Sequence, residues 1–216
     1  IAFFLEIPGW VPRWRLMTTP ERAATFFRDA GGNIIMDHID MPEAARILVA
    51  GGCLVYPTET YFALGARATA GATLARIAAI KARPASKPLP LLIGDMSQLS
   101  GVVPEGFLTG PLGADFTDLA DRFWPGPLSL VVPCREELPG LVKDARGLVS
   151  LRFTPHPTAA PLCRLAGGAL VATSANVSGR PPAAQPEDLD PTVVFAADGV
   201  VTEGPAPAGG PASTVA

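Results

Sequence analysis

From Asp40 onward the chain alternates short, nearly continuous apolar runs with amphipathic stretches, and Gly or Pro marks each break. This alternation restricts the fold more than any other feature, because strands interleaved with helices define an α/β domain. Asp40, followed by Pro42 and Glu43, predicts a helix start; Ile47 and Leu48 supply its apolar face and Gly51-Gly52 ends it. CLVYP at Cys53–Pro57 predicts a buried strand. Leu74, Ile77, Ala78 and Lys81 fit a second helix, which must end by Arg83 because Pro84 disfavours helical geometry before it. Leu89–Ile93 reads as the next strand, broken at its start by Pro90. Further strands are predicted at Leu128–Val132, Leu148–Phe153, Ala169–Ala172, Val193–Phe195 and Val200–Thr202, with helices near Asp115–Phe123 and Pro157–Ala166. Residues 1–39 read as an atypical lead-in, poorly patterned over Ile1–Asn33, and residues 40–216 as one domain. The chain starts at Ile1 rather than Met, which suggests an incomplete beginning or an added extension.

Composition removes several function classes. Among 216 residues, apolar types make up 48% and charged ones 17%, enough apolar matter for a real core and too little charge for disorder. Lys+Arg 17 against Asp+Glu 20 leaves a net charge of −3, which argues against a whole-protein electrostatic grip on nucleic acid, so a basic site must be local. No apolar run approaches the roughly 20 residues of a membrane span. The start Ile1–Ile7 has no basic leader and carries Glu6, so no membrane or secretory role is expected. Cys53, Cys134 and Cys163 are odd in number and widely spaced, which suggests neither a disulfide framework nor a zinc site; a cytoplasmic location is the expectation. The P-loop, GxGxxG, GxSxG and HExxH signatures are all absent. Of the two histidines, His38 lies in the lead-in, and His156, between Pro155 and Pro157, reads first as a turn residue or helix N-terminal cap and second as a base.

Four segments remain that can carry chemistry. KARPASK at Lys81–Lys87 puts three cations in seven residues, without a carboxylate among them, on a segment stiffened by Pro84 and Pro88. A solvated helix C-terminus accounts for such charges. A rigid uncompensated cationic turn also suits a polyphosphate, held by the Arg83 fork and the lysines as point charges. PTET at Pro57–Thr60 follows a predicted buried strand, a position where turns and ligand sites both occur. TSANVSG at Thr173–Gly179 offers small hydroxyl and amide groups that fit either a ligand contact or an ST-turn with a helix cap. FWPGPLSLVV at Phe123–Val132 turns at Pro125-Gly126-Pro127, and GPAPAGGP at Gly204–Pro211 reads as a loop or linker.

In the order PTET, KARPASKPLPLLI, FWPGPLSLVV, SLRFTPHP, TSANVSGRPP and GGPAST, the chain resembles the YrdC/Sua5 family, the threonylcarbamoyl-AMP synthases, from about Asp40 to its end. The resemblance implies a twisted mixed sheet flanked by helices around a basic cleft, in the short form without the C-terminal Sua5 domain. It implies joining of L-threonine, bicarbonate or CO2, and ATP into threonylcarbamoyl-AMP plus pyrophosphate, which supplies tRNA threonylcarbamoyladenosine modification. The family's Lys-Arg-Lys signature falls on Lys81, Arg83 and Lys87, and its Ser-x-Asn on Ser174 and Asn176; these five are the implied catalytic set. ATP phosphates are implied on Arg83, Lys87 and Ser174, and L-threonine near Thr60, Arg152 and Ser213, with Arg152 a planar fork for the amino acid's carboxylate. Where the family usually reads PT[DE]TVYGLGA, this chain reads PTETYFALGA, so Tyr61, Phe62 and Ala63 alter the wall of the site. The chain stops at Ala216, before the family's further strand and late arginine, so the resemblance implies an unfinished ATP site.

The implied reaction needs no protein nucleophile, since a carbamate formed on the threonine amine displaces pyrophosphate from ATP; it needs alignment and charge neutralisation. The lack of a histidine base and of a triad is expected on that view. Magnesium is expected with the polyphosphate, with Glu59 its candidate protein ligand. The expected partners are ATP, L-threonine, bicarbonate, a downstream threonylcarbamoyl transferase, and at most weakly bound tRNA. Two other readings stay open: an RNA- or nucleotide-binding module of the same fold, and carbamoyl-adenylate chemistry as in the related domain of hydrogenase-maturation carbamoyltransferases.

Overall fold

The computed structural model describes residues 26–28, 34–36, 38–84, 87–210 and 214–216. Contacts divide the chain into Ile1–Asp37 and His38–Ala216. In the first unit β1 (Phe26–Arg28) pairs antiparallel with β2 (Ile34–Met36), a pairing that the unpatterned sequence there does not announce; most of the predicted lead-in lies outside the described residues.

The second unit opens as its capping residues dictate. Asp40 accepts the Glu43 amide at 2.9 Å and α1 (Met41–Val49) follows, with Pro42 in its first turn and Ala44 and Leu48 buried. β3 (Leu54–Pro57) and β4 (Phe62–Gly65) form an antiparallel pair, then α2 (Gly71–Ile80) leads through the cationic turn to β5 (Leu91–Ile93). Next come α3 (Gly113–Phe123), β6 (Leu128–Pro133), β7 (Leu148–Phe153), α4 (Ala159–Leu165), β8 (Leu170–Val171), β9 (Thr173–Ser174), α5 (Pro191–Ala196) and β10 (Thr214–Val215). The strands form two sheets, β3-β4-β9 and the mixed β10-β6-β7-β5-β8, in which β5 runs parallel to β7 and antiparallel to β8.

Two expectations are corrected. Val193–Phe195 lies in α5, because Asp190 caps that helix through the Thr192 amide and Pro191 fixes its first turn, and these outweigh the β preference of two valines and a phenylalanine. Val200–Thr202 is no strand; Val200 makes isolated parallel bridges to His38 and Val55. β4, absent from the predicted strands, is buried along its whole length.

The sheets meet tightly where β4 passes β8. A Cβ on Gly65 would lie 1.8 Å from the Val171 carbonyl oxygen, so only glycine permits this approach, and the buried Tyr56 hydroxyl donates to the same oxygen at 2.8 Å. Behind it Leu48, Leu54, Leu92, Leu162, Cys163 and Leu170 pack as one core. Trp124 is buried edge-on to Phe116 and Phe153. Among the described residues, no helix is long and apolar enough to cross a membrane.

Candidate active site

The cationic turn is built by the end of α2. The Ala82 amide donates to the Ala79 carbonyl and the Arg83 amide to that of Ala78, the paired bonds of a Schellman cap. The residue that must turn left-handed there is Ala82, at φ 48°, where glycine is usual. The turn therefore stores a strain of about 1–2 kcal/mol.

Lys81, at the head of this turn, is 2% exposed. Its Nζ donates to the Ser174 carbonyl, to the Asn176 carbonyl at 2.6 Å and, at 3.5 Å, towards Asn176 Oδ1. The ammonium is thus directed at the end of β9 and the loop after it. The Ser178 amide returns a bond of 3.0 Å to the Lys81 carbonyl. Asn176 completes the loop, its amide Nδ2 donating to the carbonyls of Val177 at 3.1 Å and Arg180 at 2.5 Å. Asp190 accepts the Val177 amide at 3.2 Å and pairs with Arg180. Burial and the neighbouring Arg83 push the Lys81 ammonium down to about 8, with Asp190 opposing.

Within the implied catalytic set, then, Lys81 and Asn176 build the loop from inside. The half-buried Ser174 side chain stands on its surface, with its backbone paired to Ala63 of β4. Arg83 is half-buried; its Nε and Nη2 donate to the Lys87 and Pro88 carbonyls, each at 2.8 Å, and Lys87 is exposed. The structure brings Lys81, Ser174 and Asn176 into contact and joins Arg83 and Lys87 through the turn's own backbone.

The second group of predicted residues gathers around β7. Arg152, 7% exposed, pairs with Glu59 at 3.2 Å, and Thr154 Oγ1 donates to the other Glu59 oxygen at 2.6 Å. Glu59 Oε2 is buried and faces Arg152 outside hydrogen-bond alignment. Thr60 follows directly, half-buried, its carbonyl accepting the Gly209 amide at 2.8 Å. The two groups are linked through β4, since the Phe62 carbonyl, two residues after Thr60, accepts the Ala175 amide at 2.8 Å. Ser213 lies outside the described residues. Of the altered wall residues, Tyr61 donates its hydroxyl to the Gly210 carbonyl at 2.6 Å, while Phe62 and Ala63 are buried.

His156 takes the capping role. Its Nδ1 accepts from the Thr158 and Ala159 amides at the start of α4. Burial, with a smaller contribution from Arg152, pushes the imidazole below its ordinary range, against the Pro205 carbonyl and Glu59. Sequence reasoning missed Thr154 and Asp190; Thr154 follows SLRF at the end of a strand, and Asp190 ahead of Pro191 is a readable cap. Glu59 does not fit a magnesium ligand, because its oxygens serve Arg152 and Thr154, and no group of three His, Cys, Asp or Glu gathers among the described residues.

The Sua5/YciO/YrdC family model, described as "Telomere recombination", matches residues 46–216. The chain belongs to this family. It is 41% identical over 140 residues to "Threonylcarbamoyl-AMP synthase" of Nitrosococcus oceani, covering 65% of this chain and 72% of that protein. It is 34% identical over 166 residues to the protein of the same name from Stenotrophomonas maltophilia, covering 77% and 87%. The fold is similar to "P. abyssi Sua5 complexed with L-threonine", with a TM-score of 0.69, 31% identity, and coverage of 83% of this chain and 52% of that one. The chain thus spans about half the length of that structure. The family match contains all of the residues placed above, from Glu59 to Asp190, and leaves residues 1–45 outside it.

Proposed function

We propose that this chain is a threonylcarbamoyl-AMP synthase, an enzyme that consumes ATP and L-threonine with bicarbonate or CO2. The observation that carries the reading is the joining of the 81–88 turn to the 173–180 loop by Lys81, on a family member whose relatives bear that enzyme's name. Arg83, Lys87 and Ser174 take the phosphates, and Lys81 with Asn176 holds the loop that presents Ser174. Thr60, Arg152 and Ser213 take threonine. Arg152, held by Glu59, is a planar fork suited to the amino acid's carboxylate.

The threonine amine, once deprotonated, forms a bond to the carbon of CO2. An oxygen of the resulting carbamate attacks the α-phosphorus, and the bond from phosphorus to the bridging oxygen breaks as pyrophosphate leaves. The protein's part is to hold three reactants in line and to neutralise the triphosphate. Magnesium accompanies ATP as part of that substrate. The product passes to a separate transferase, and tRNA binds weakly at most, because the one dense cationic segment is committed to ATP and the net charge is −3.

Pyrophosphate release, measured with ATP and with threonine and bicarbonate omitted in turn, tests the reading. Release that needs both supports it. Release with bicarbonate alone would favour carbamoyl-adenylate chemistry, and tight tRNA binding without release would favour the RNA-binding reading.

A further inference from the structure

His156 ties three parts of the threonine end together. Its backbone amide donates to Thr154 Oγ1 at 3.0 Å, and that hydroxyl donates onward to Glu59, the partner of Arg152. Its Nδ1 accepts the Thr158 and Ala159 amides at 3.2 and 3.4 Å. With Nδ1 accepting, the ring proton sits on Nε2, which donates to the Pro205 carbonyl at 3.3 Å.

Pro205 belongs to a segment, residues 203–210, that owes its place to its neighbours. Thr158 Oγ1 donates to the Glu203 carbonyl at 2.5 Å. The Ala208 and Gly209 amides then donate to the carbonyls of Glu59 and Thr60 at 3.0 and 2.8 Å, and Tyr61 reaches Gly210. The segment turns at Gly204, Gly209 and Gly210, all at positive φ. It is therefore a strap laid along Glu59–Tyr61 and fastened at its far end by His156 and Thr158.

We propose that His156 is a positioning residue for the threonine subsite: its Nε2–H fixes the strap against Glu59–Tyr61, while Nδ1 separately caps α4. This rests on the reading that Thr60 and Arg152 receive the amino acid. Two single-residue variants separate the jobs. In His156→Asn the side-chain oxygen stands where Nδ1 stood and keeps the cap, but it is too short to reach Pro205. In His156→Gln the amide nitrogen reaches the position of Nε2 and keeps the donor.

H156N is expected to unfold at about the wild-type temperature yet to raise KM for threonine about 3- to 10-fold, the worth of one neutral hydrogen bond. Its kcat and its KM for ATP stay within about twofold of wild type. H156Q recovers the wild-type KM for threonine. An H156N enzyme with unchanged KM for threonine, one whose KM for ATP rises equally, or an H156Q enzyme no better than H156N would overturn the inference. A wild-type protein without threonine-dependent pyrophosphate release defeats the underlying reading instead; an active wild type with an unaltered H156N defeats this inference alone.

Discussion

Replacing Lys81 by Met decides whether this lysine works on the loop or on the nucleotide. Met preserves most of the buried stem and removes the ammonium that joins the end of α2 to the Ser174 and Asn176 carbonyls. The Ser174 carbonyl keeps a second donor, the Asn176 amide at 2.9 Å. The Asn176 carbonyl has no other hydrogen-bond donor among the described residues, so it becomes an orphan acceptor. Losing a charged hydrogen bond and leaving one buried acceptor unpaired costs about 2–4 kcal/mol together. The desolvation that drives the ammonium down to about 8 is relieved at the same time, which puts the expected loss at the lower end, about 2 kcal/mol.

For a unit of this size that is a fall of about 4–8 °C in Tm. The 173–180 loop loses its anchor, and misplacement of Ser174 should lower kcat/KM for ATP by about ten- to a hundredfold. Calorimetric or fluorescence unfolding, alongside steady-state kinetics at varied ATP, reads both numbers. A K81M protein of wild-type stability that has lost ATP affinity would show that the ammonium binds phosphate directly, and the loop-anchor account would be wrong.

Other outcomes follow from the same geometry. Ala82→Gly should raise stability by about 1 kcal/mol in urea denaturation, since glycine meets no penalty at φ 48°; a loss of stability would mean that the turn is not strained. Below pH about 6.5 the unfolded chain protonates His156 while the folded chain, with its pKa lowered, resists. That contribution is complete above pH about 6.5 and is lost as pH falls towards the folded value, with Glu59 and Arg152 the charged groups that act on the ring. H156N should lack this part of the pH dependence, and identical profiles for the two proteins would show that burial does not hold the His156 imidazole neutral. Threonine should be used in preference to valine, with serine the nearer competitor, because a site that bonds a hydroxyl penalises its absence; equal rates with valine would remove Thr60 and Ser213 from the binding role.

Much of this was legible in local patterns. Asp40, Pro42 and Gly51 mark α1 at both ends, and α2 ends ahead of Pro84 as expected, because capping and φ restrictions act within a few residues. His156 was readable as a cap for the same reason. The error at Val193–Phe195 arose from weighing side-chain shape above the Asp190-Pro191 start signal that precedes it. The inward role of Lys81 was not legible, because its acceptors lie 93 and 95 residues away and a lysine at a helix end ordinarily points to water. Nor was the Arg152–Glu59–Thr154 cluster, because Glu59 follows β3 while Arg152 and Thr154 lie on and just after β7, with Thr154 and Glu59 95 residues apart in the chain.

The proposed site joins threonine, bicarbonate and the α-phosphate of ATP. Incubating the protein with ATP, L-threonine and isotopically heavy bicarbonate, then weighing the nucleotide products, tests it most directly. The expected product is an AMP conjugate that carries threonine and the heavy carbon, formed in step with pyrophosphate and nearly abolished in an R83A/K87A double variant. Nucleotide products free of the heavy carbon, or a heavy conjugate formed equally well by the double variant, would contradict it.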